Sequence, residues 1–225
     1  MKRLLFDVEG DGLLRKIRKL WMWVSTDLDT GDWWVFDSYL YAEPDLGAGV
    51  TPFKLHDGVV KAEPFELDLA TLTGNAYDYT RAVLQLQRIE LEDGCYCYLG
   101  RYEDLVPWLE AMEGDDTPLT LIGHFISGFD LPALWKLLGY QPHKTTRVRD
   151  TMIQSQVLNY KRFGMKGHSL KVWGQHLGNL KVEHEDWSQW SVDMVRRCWQ
   201  DVGVNIDVYD TLLKELNTKV QKHPL

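Results

Sequence analysis

Short apolar segments separated by polar turns mark the first forty residues. Residues 3–8 form an apolar run that ends in acidic side chains, which predicts a buried central strand. Aromatic and β-branched runs at 21–26 and 33–37 are joined by the glycine-containing segment 29–32, and this pattern predicts a hairpin. The chain is therefore expected to begin with three adjacent strands.

Residues 43–93 have a different pattern, because proline and glycine interrupt every sustained period. This pattern predicts a loop-rich insertion with a short helix at about 79–87. Regular patterning resumes after the insertion, with a strand predicted at 95–99 and a helix at 102–112.

The second half of the chain combines one further strand with several helices. The apolar run 119–124 predicts a buried strand, and helices are predicted from about residue 131, over 151–158 and over 169–177. Apolar residues at helical spacing then predict a long amphipathic helix over about 191–216. This order of elements indicates an α/β domain with a mixed sheet, spanning residues 1–225.

Composition narrows the choice of function. The net charge of −8 and the pI near 5.4 disfavour a protein that coats duplex DNA, although they suit a carboxylate site that binds cations. No apolar run approaches the roughly 18 residues of a membrane helix, so no membrane association is expected. The three cysteines match neither a zinc motif nor a secreted disulfide framework, which predicts reduced thiols and a cytoplasmic location.

Asp7 and Glu9 follow the first apolar run and are the first candidate metal ligands. Side chains alternate across a strand, so these two carboxylates point to the same side. Paired carboxylate oxygens suit Mg²⁺ or Mn²⁺, which would relieve their repulsion. The alternative is an ordinary solvated strand end.

Two further acids are candidates, one between a strand and a helix and the other on a helix. Asp130 lies between the strand at 119–124 and the next helix, where it could also be an ordinary helix N-cap. Asp201 lies on the long helix, about 120° from the centre of its apolar face. The alternative for Asp201 is a solvated acid that pairs with Arg197 four residues earlier.

Taken together and in this order, the acidic motifs resemble the DEDD exonuclease superfamily of the DEDDy type. Within it, the chain is most similar to the proofreading domain of phage family A DNA polymerases. The similar segments cover most of the chain outside residues 43–93, and they are 6–13, 129–134, 150–152, 161–164, 168–174 and 200–202. The resemblance implies an RNase H-like fold with a mixed five-stranded sheet flanked by helices, plus the insertion.

The resemblance also implies an activity. It implies a free-standing 3′→5′ exonuclease that hydrolyses single-stranded DNA or frayed 3′ ends to nucleoside monophosphates with two Mg²⁺ or Mn²⁺ ions. Asp7, Glu9 and Asp201 would hold one ion, while Asp7 and, through water, Asp130 would hold the other. Leu13 would pack on the terminal base.

Two positions depart from the family pattern. Arg197 stands where the family has a tyrosine that orients water, and an always-protonated guanidinium cannot act as a base. Arg197 would instead hold the scissile phosphate, or pair with Asp201. Phe125 stands where the family often has asparagine, next to His124, which is expected to be structural.

A basic segment at 160–167 supplies further candidates for substrate binding. Lys161, Arg162 and Lys166 would follow the phosphates of a single strand, or the segment is a solvated connector. His168 is either a structural residue or a substrate contact.

Two alternative functions remain open from the sequence. One is an RNase of the same superfamily, because carboxylates and metal ions do not distinguish a 2′-hydroxyl. The other is a catalytically degenerate module that binds nucleic acid or assists a separate polymerase, which Arg197 and Phe125 favour. If the chain is phage-encoded, its location would be the host cytoplasm.

Overall fold

The computed structural model describes residues 2–47, 60–73, 83–91, 93–114, 118–180 and 186–222. Within these ranges the strands are β1 (Lys2–Gly10), β2 (Leu20–Asp27), β3 (Trp33–Phe36), β4 (Ala62–Asp68), β5 (Val83–Glu90), β6 (Tyr96–Gly100), β7 (Leu119–Gly123) and β8 (Arg147–Asp150). Together these described strands form one eight-stranded sheet in the order β4-β5-β6-β3-β2-β1-β7-β8.

The helices of the same ranges lie on both faces of the sheet. They are α1 (Ser38–Ala42), α2 (Ala70–Thr73), α3 (Leu105–Met112), α4 (Asp130–Leu138), α5 (Thr151–Leu158), α6 (Leu170–Leu177) and α7 (Val192–Lys222). Short 3₁₀ turns occupy Pro44–Gly47, Tyr102–Asp104 and Gly164–Lys166. Among the described helices, none combines the length and the apolar character needed to cross a bilayer.

Strand β1 lies inside the sheet, antiparallel to β2 and parallel to β7. With β3 and β8 at the two sides, these strands make the mixed α/β arrangement that the sequence predicted. The predicted number of five strands is wrong, because β6 continues the sheet beyond β3 and the antiparallel pair of β4 and β5 continues it beyond β6. The added strands pair backbone groups that would otherwise form an open edge.

The predicted helix at 79–87 is wrong where the structure describes it, since residues 83–90 form β5 and residues 79–82 lie outside the described ranges. Leu84 and Leu86 are buried and alternate with exposed residues, which is the two-residue period of a strand. The other predicted strands and helices are confirmed to within a few residues, and α7 runs six residues further than expected, to residue 222 rather than 216.

Side chains alternate along β1 between the two faces of the sheet, and each face packs against a different hydrophobic cluster. Leu4, Phe6 and Val8 enter the cluster that contains Trp23 and the buried helix α3. Leu5 enters the opposite cluster, which α7 covers with Met194, Val195, Cys198, Trp199 and Val202. Asp7 and Glu9 share the parity of Leu5, so their carboxylates project toward α7 at the end of the strand.

Candidate functional site

Asp7, Glu9 and Cys198 bring three potential ligand atoms within 4.8 Å of one another. The two acids end β1, and Cys198 reaches them from α7. Its Sγ lies 3.6 Å from the carbonyl oxygen of Asp7 and 3.8 Å from Asp7 Oδ2. Burial, with a further contribution from the nearby carboxylates, raises the pKa of the Cys198 thiol well above its ordinary value. The protonated thiol therefore acts as a weak donor to Asp7.

Asp130 is almost completely buried beside β1, where its Oδ1 accepts a hydrogen bond from Val8 N at 3.2 Å. Burial raises its pKa to about 7, against two backbone hydrogen bonds that lower it, and the charges of Asp150 and Asp201 add to the rise. The N-cap alternative is wrong, because the cap residue of α4 is Phe129 and Asp130 lies in the first turn.

Asp201 projects from α7 toward the same acids and is 5% exposed, so it is not a solvated acid, although the predicted pair with Arg197 is present. Arg197, one turn earlier, places its Nε 4.0 Å from Asp201 Oδ2 and 3.7 Å from Glu9 Oε1. Its guanidinium carbon also lies 4.9 Å from the centre of the Trp187 ring. The arginine thus contributes positive charge between two of the four acids.

Asp150 holds the loop that precedes Asp130, a role that sequence reasoning missed. It caps α5, and its two carboxylate oxygens also accept from Phe125 N at 3.0 Å and Ser127 N at 3.1 Å. Phe125 has a φ of 65°, the left-handed region that asparagine tolerates better than phenylalanine. The position of Asp150 directly before a predicted helix was the signal that could have found it.

A buried polar chain links the end of β7 to two helices. His124 Nδ1 lies 2.9 Å from Thr151 Oγ1, and that hydroxyl lies 2.7 Å from Asn205 Oδ1. Because these contacts join the residue after β7 to α5 and α7, they help to fix the helix that carries Asp201.

An apolar cleft of about 290 Å³ opens beside Glu9. Its walls include Leu13, which is 80% exposed, together with Phe129 and Trp187. Trp187 is held in place by Trp21, whose Nε1 donates to the Trp187 carbonyl oxygen at 3.0 Å. The sequence predicted Leu13, but it gave no sign that Trp187 would reach this cleft.

The remaining predicted substrate residues lie in different environments. Arg162 forms two 2.5 Å hydrogen bonds with Glu215 on α7, and His168 is buried with ring nitrogens 2.7 Å from Ser155 Oγ and 3.0 Å from the Tyr160 carbonyl oxygen. These internal contacts disfavour substrate binding by Arg162 and His168.

Lys161 and Lys166 are exposed, and contact with substrate stays a prediction for them. The structure thus brings Asp7, Glu9, Asp130, Asp201 and Arg197 together, with Leu13 beside them.

No protein-family model and no curated protein sequence matches the chain. Among solved structures it is similar to Brucella melitensis NrnC, with 20% identity over 71% of this chain and 73% of that chain and a TM-score of 0.41. It is also similar to a protein from Bifidobacterium adolescentis, with 20% identity over 71% of this chain and 35% of that chain and a TM-score of 0.39. The α/β class follows from the strands and helices of the chain itself.

Proposed function

We propose that the chain is a divalent-metal-dependent 3′→5′ exonuclease that hydrolyses single-stranded DNA, or frayed 3′ ends, to nucleoside monophosphates. The observation that carries the proposal is the convergence of four acids around Cys198. Asp7, Glu9, Asp130 and Asp201 all contribute negative charge at this thiol, although they come from β1, α4 and α7. An apolar cleft adjoins the group at Glu9.

The donor set fits Mg²⁺ or Mn²⁺. Carboxylate oxygens are the ligands that these hard cations prefer, and the protonated Cys198 is not a competing ligand for them. The raised pKa of Asp130 shows that its ionised form is unfavourable, because the carboxylate is buried beside other acids. Bound cations would offset this unfavourable free energy. Asp7, Glu9 and Asp201 would hold one ion, and Asp7 together with Asp130, through water, would hold the second.

Bound ions of this kind lower the pKa of water and stabilise charge on the leaving oxygen. The side chains of the chain itself would position the substrate. Leu13, Phe129 and Trp187 offer apolar surfaces for the terminal base, and Glu9 would accept a hydrogen bond from the 3′-hydroxyl at the edge of the cleft. A site that holds a free 3′ end in this way would cleave from that end.

A noncatalytic module that binds nucleic acid, or assists a separate polymerase, is the second candidate. The observation in its favour is Arg197, whose guanidinium lies near Glu9 and Asp201 and supplies positive charge where a cation would otherwise do so. RNA is the alternative substrate for the active enzyme, and the choice of DNA rests on the resemblance to phage proofreading domains.

The test uses 5′-labelled DNA and RNA oligonucleotides with Mg²⁺ or Mn²⁺. We expect a stepwise ladder on single-stranded DNA that disappears in Asp7→Ala and in Asp201→Asn. Asp210→Asn is the matched control, because Asp210 is exposed on the same helix, and it should retain full activity. If neither nucleic acid is degraded with either metal, while oligonucleotide still binds, the noncatalytic module is favoured.

A further inference from the structure

The loop between β1 and β2 carries a concentration of positive charge in a protein whose net charge is −8. Four of its five residues from 15 to 19 are cationic, and all four are exposed; this basic loop consists of Arg15, Lys16, Arg18 and Lys19. Arg18 lies close enough to Asp11 for its charge to act on that carboxylate, whereas Arg15 and Lys16 form no ion pair with any residue that the structure describes. Their charge therefore faces solvent.

The basic loop has a defined conformation, which distinguishes it from a loose solvated connector. Ile17 points inward and is 1% exposed. Asp11 Oδ1 accepts hydrogen bonds from Arg18 N at 2.8 Å and Lys19 N at 3.1 Å, and Ile17 N donates to the Leu13 carbonyl oxygen at 2.8 Å. The cationic side chains are consequently presented from a fixed backbone.

A groove of about 480 Å³ lies between this loop and α4, lined by Leu14, Pro132, Trp135 and Lys136. Lys136 Nζ donates to the Leu14 carbonyl oxygen at 3.0 Å, which ties the helix to the loop. Trp135 is 60% exposed. All ten tryptophans lie within the described ranges, and nine of them are buried or half-buried, whereas the ring of Trp135 is largely exposed and is not required by the core.

The groove continues the cleft along the same two segments of chain. Leu13 lines the cleft and Leu14 lines the groove, while Phe129 lines the cleft and Pro132 lines the groove. A polymer whose end occupies the cleft would meet an aromatic ring and a row of cations immediately beyond it. A single-stranded nucleic acid has both matching features, namely stacking bases and regularly spaced phosphates.

We infer that the groove and the basic loop bind the single strand on the 5′ side of the terminal nucleotide. Trp135 stacks on a base, and Arg15, Lys16 and Lys136 contact phosphates. This inference rests on the proposed function for the direction of the strand, but the binding that it describes is measurable without cleavage. It also explains how an acidic protein retains a polyanionic substrate.

The experiment measures fluorescence anisotropy of labelled oligothymidylate with the Asp7→Ala protein, which leaves the strand intact. A strand of about eight nucleotides should bind more tightly than a dinucleotide. Adding Trp135→Ala should weaken the longer strand about tenfold and leave the dinucleotide unchanged, while Trp135→Phe should restore most of the affinity. An abasic strand of equal length should not respond to Trp135→Ala.

Salt dependence tests the cationic part separately. Replacing Arg15 and Lys16 by alanine should reduce the slope of log affinity against log salt by about 1.4, or 0.7 for each lost phosphate contact. The matched control replaces Lys144 and Lys214, two exposed lysines that line neither the cleft nor the groove, and should leave the slope unchanged.

The inference would be overturned if Trp135→Ala and the Arg15/Lys16 variant both bound the strand as tightly as the Asp7→Ala protein, or if only the Lys144/Lys214 control reduced the salt slope. A Trp135 effect that persists on the abasic strand would indicate a general polyanion surface and would also overturn it. Failure of the proposed function has a different signature, because the wild-type protein would then bind the strand without degrading it.

Discussion

Replacing Asp130 by asparagine removes a buried ionisable group while keeping its shape. The amide oxygen can still accept the hydrogen bond from Val8 N. The pKa of Asp130 rises from 3.8 to about 7 in the folded chain, so the folded state holds its proton more tightly than the unfolded state does. The stability contributed by protonated Asp130 is therefore fully present below about pH 4 and is lost as the pH rises through about 7.

The size of the effect follows from the two pKa values. The two pKa values differ by about three, and a difference of one corresponds to about 1.4 kcal/mol. Ionised Asp130 therefore lowers the free energy of unfolding of the metal-free protein by up to about 4 kcal/mol above pH 7. Relative to the wild type, Asp130→Asn should be more stable by about 2 kcal/mol near pH 5 and about 4 kcal/mol near pH 8.5. The higher value corresponds to a melting temperature raised by roughly 10 °C.

Urea unfolding in the presence of EDTA, at both pH values, measures this difference. Added Mg²⁺ should then stabilise the wild type more than Asp130→Asn, because a ligand that binds only the folded state raises its stability. Asp210→Asn, which changes an exposed acid on α7, should show no pH-dependent gain. A gain that is equal at the two pH values, or a variant that is less stable near pH 8.5, would refute the reasoning.

Three further substitutions test other parts of the site. Arg197→Tyr removes the guanidinium whose Nε lies 3.7 Å from Glu9 Oε1 and introduces a tyrosine that could orient water at the proposed site. We expect faster oligonucleotide cleavage by about tenfold or more, and a slower rate would assign Arg197 its own role on the phosphate. His168→Ala should lower the free energy of unfolding by about 1–3 kcal/mol while kcat/KM of the folded protein stays unchanged; a raised KM would instead support substrate contact. Gly123→Ala places a Cβ 1.9 Å from Ile126 Cγ2 and should lower stability by about 1–3 kcal/mol in thermal melting, so an unchanged melting temperature would contradict the packing at this position.

Local periodicity was sufficient to predict the strands and helices with a clear apolar pattern. Strands β1 to β3 and helix α7 each bury a regular set of side chains, and that set is visible in the sequence. Strand β8 escaped prediction because it is short and polar, with Arg147 and Val148 exposed at the edge of the sheet. Strand β5 is stabilised by pairing with β4 and β6, and such nonlocal pairing leaves only a weak pattern in the sequence of the strand itself.

In the candidate site, residues in local sequence motifs could likewise be predicted, whereas residues that join the site only through tertiary packing could not. The four acids could be singled out because each stands in a recognisable local motif, and the structure brings their charges close to Cys198. Cys198 and Trp187 could not, since the contact of Cys198 with Asp7 depends on the docking of α7 against β1, and Trp187 lies in an irregular segment. The contact of Arg162 with Glu215 likewise joins residues 53 positions apart.

The contact between Asp7 and Cys198 also limits when the acidic group can assemble during synthesis of the protein. These residues are 191 positions apart, so the nascent chain carries its first two acids long before the helix that completes the group exists. The hairpin of β2 and β3 can form early from local contacts, whereas closure by α7 must wait until the ribosome has released residue 201. An unfinished chain is therefore unable to assemble the acidic group, and the proposed hydrolytic activity is withheld until α7 has docked.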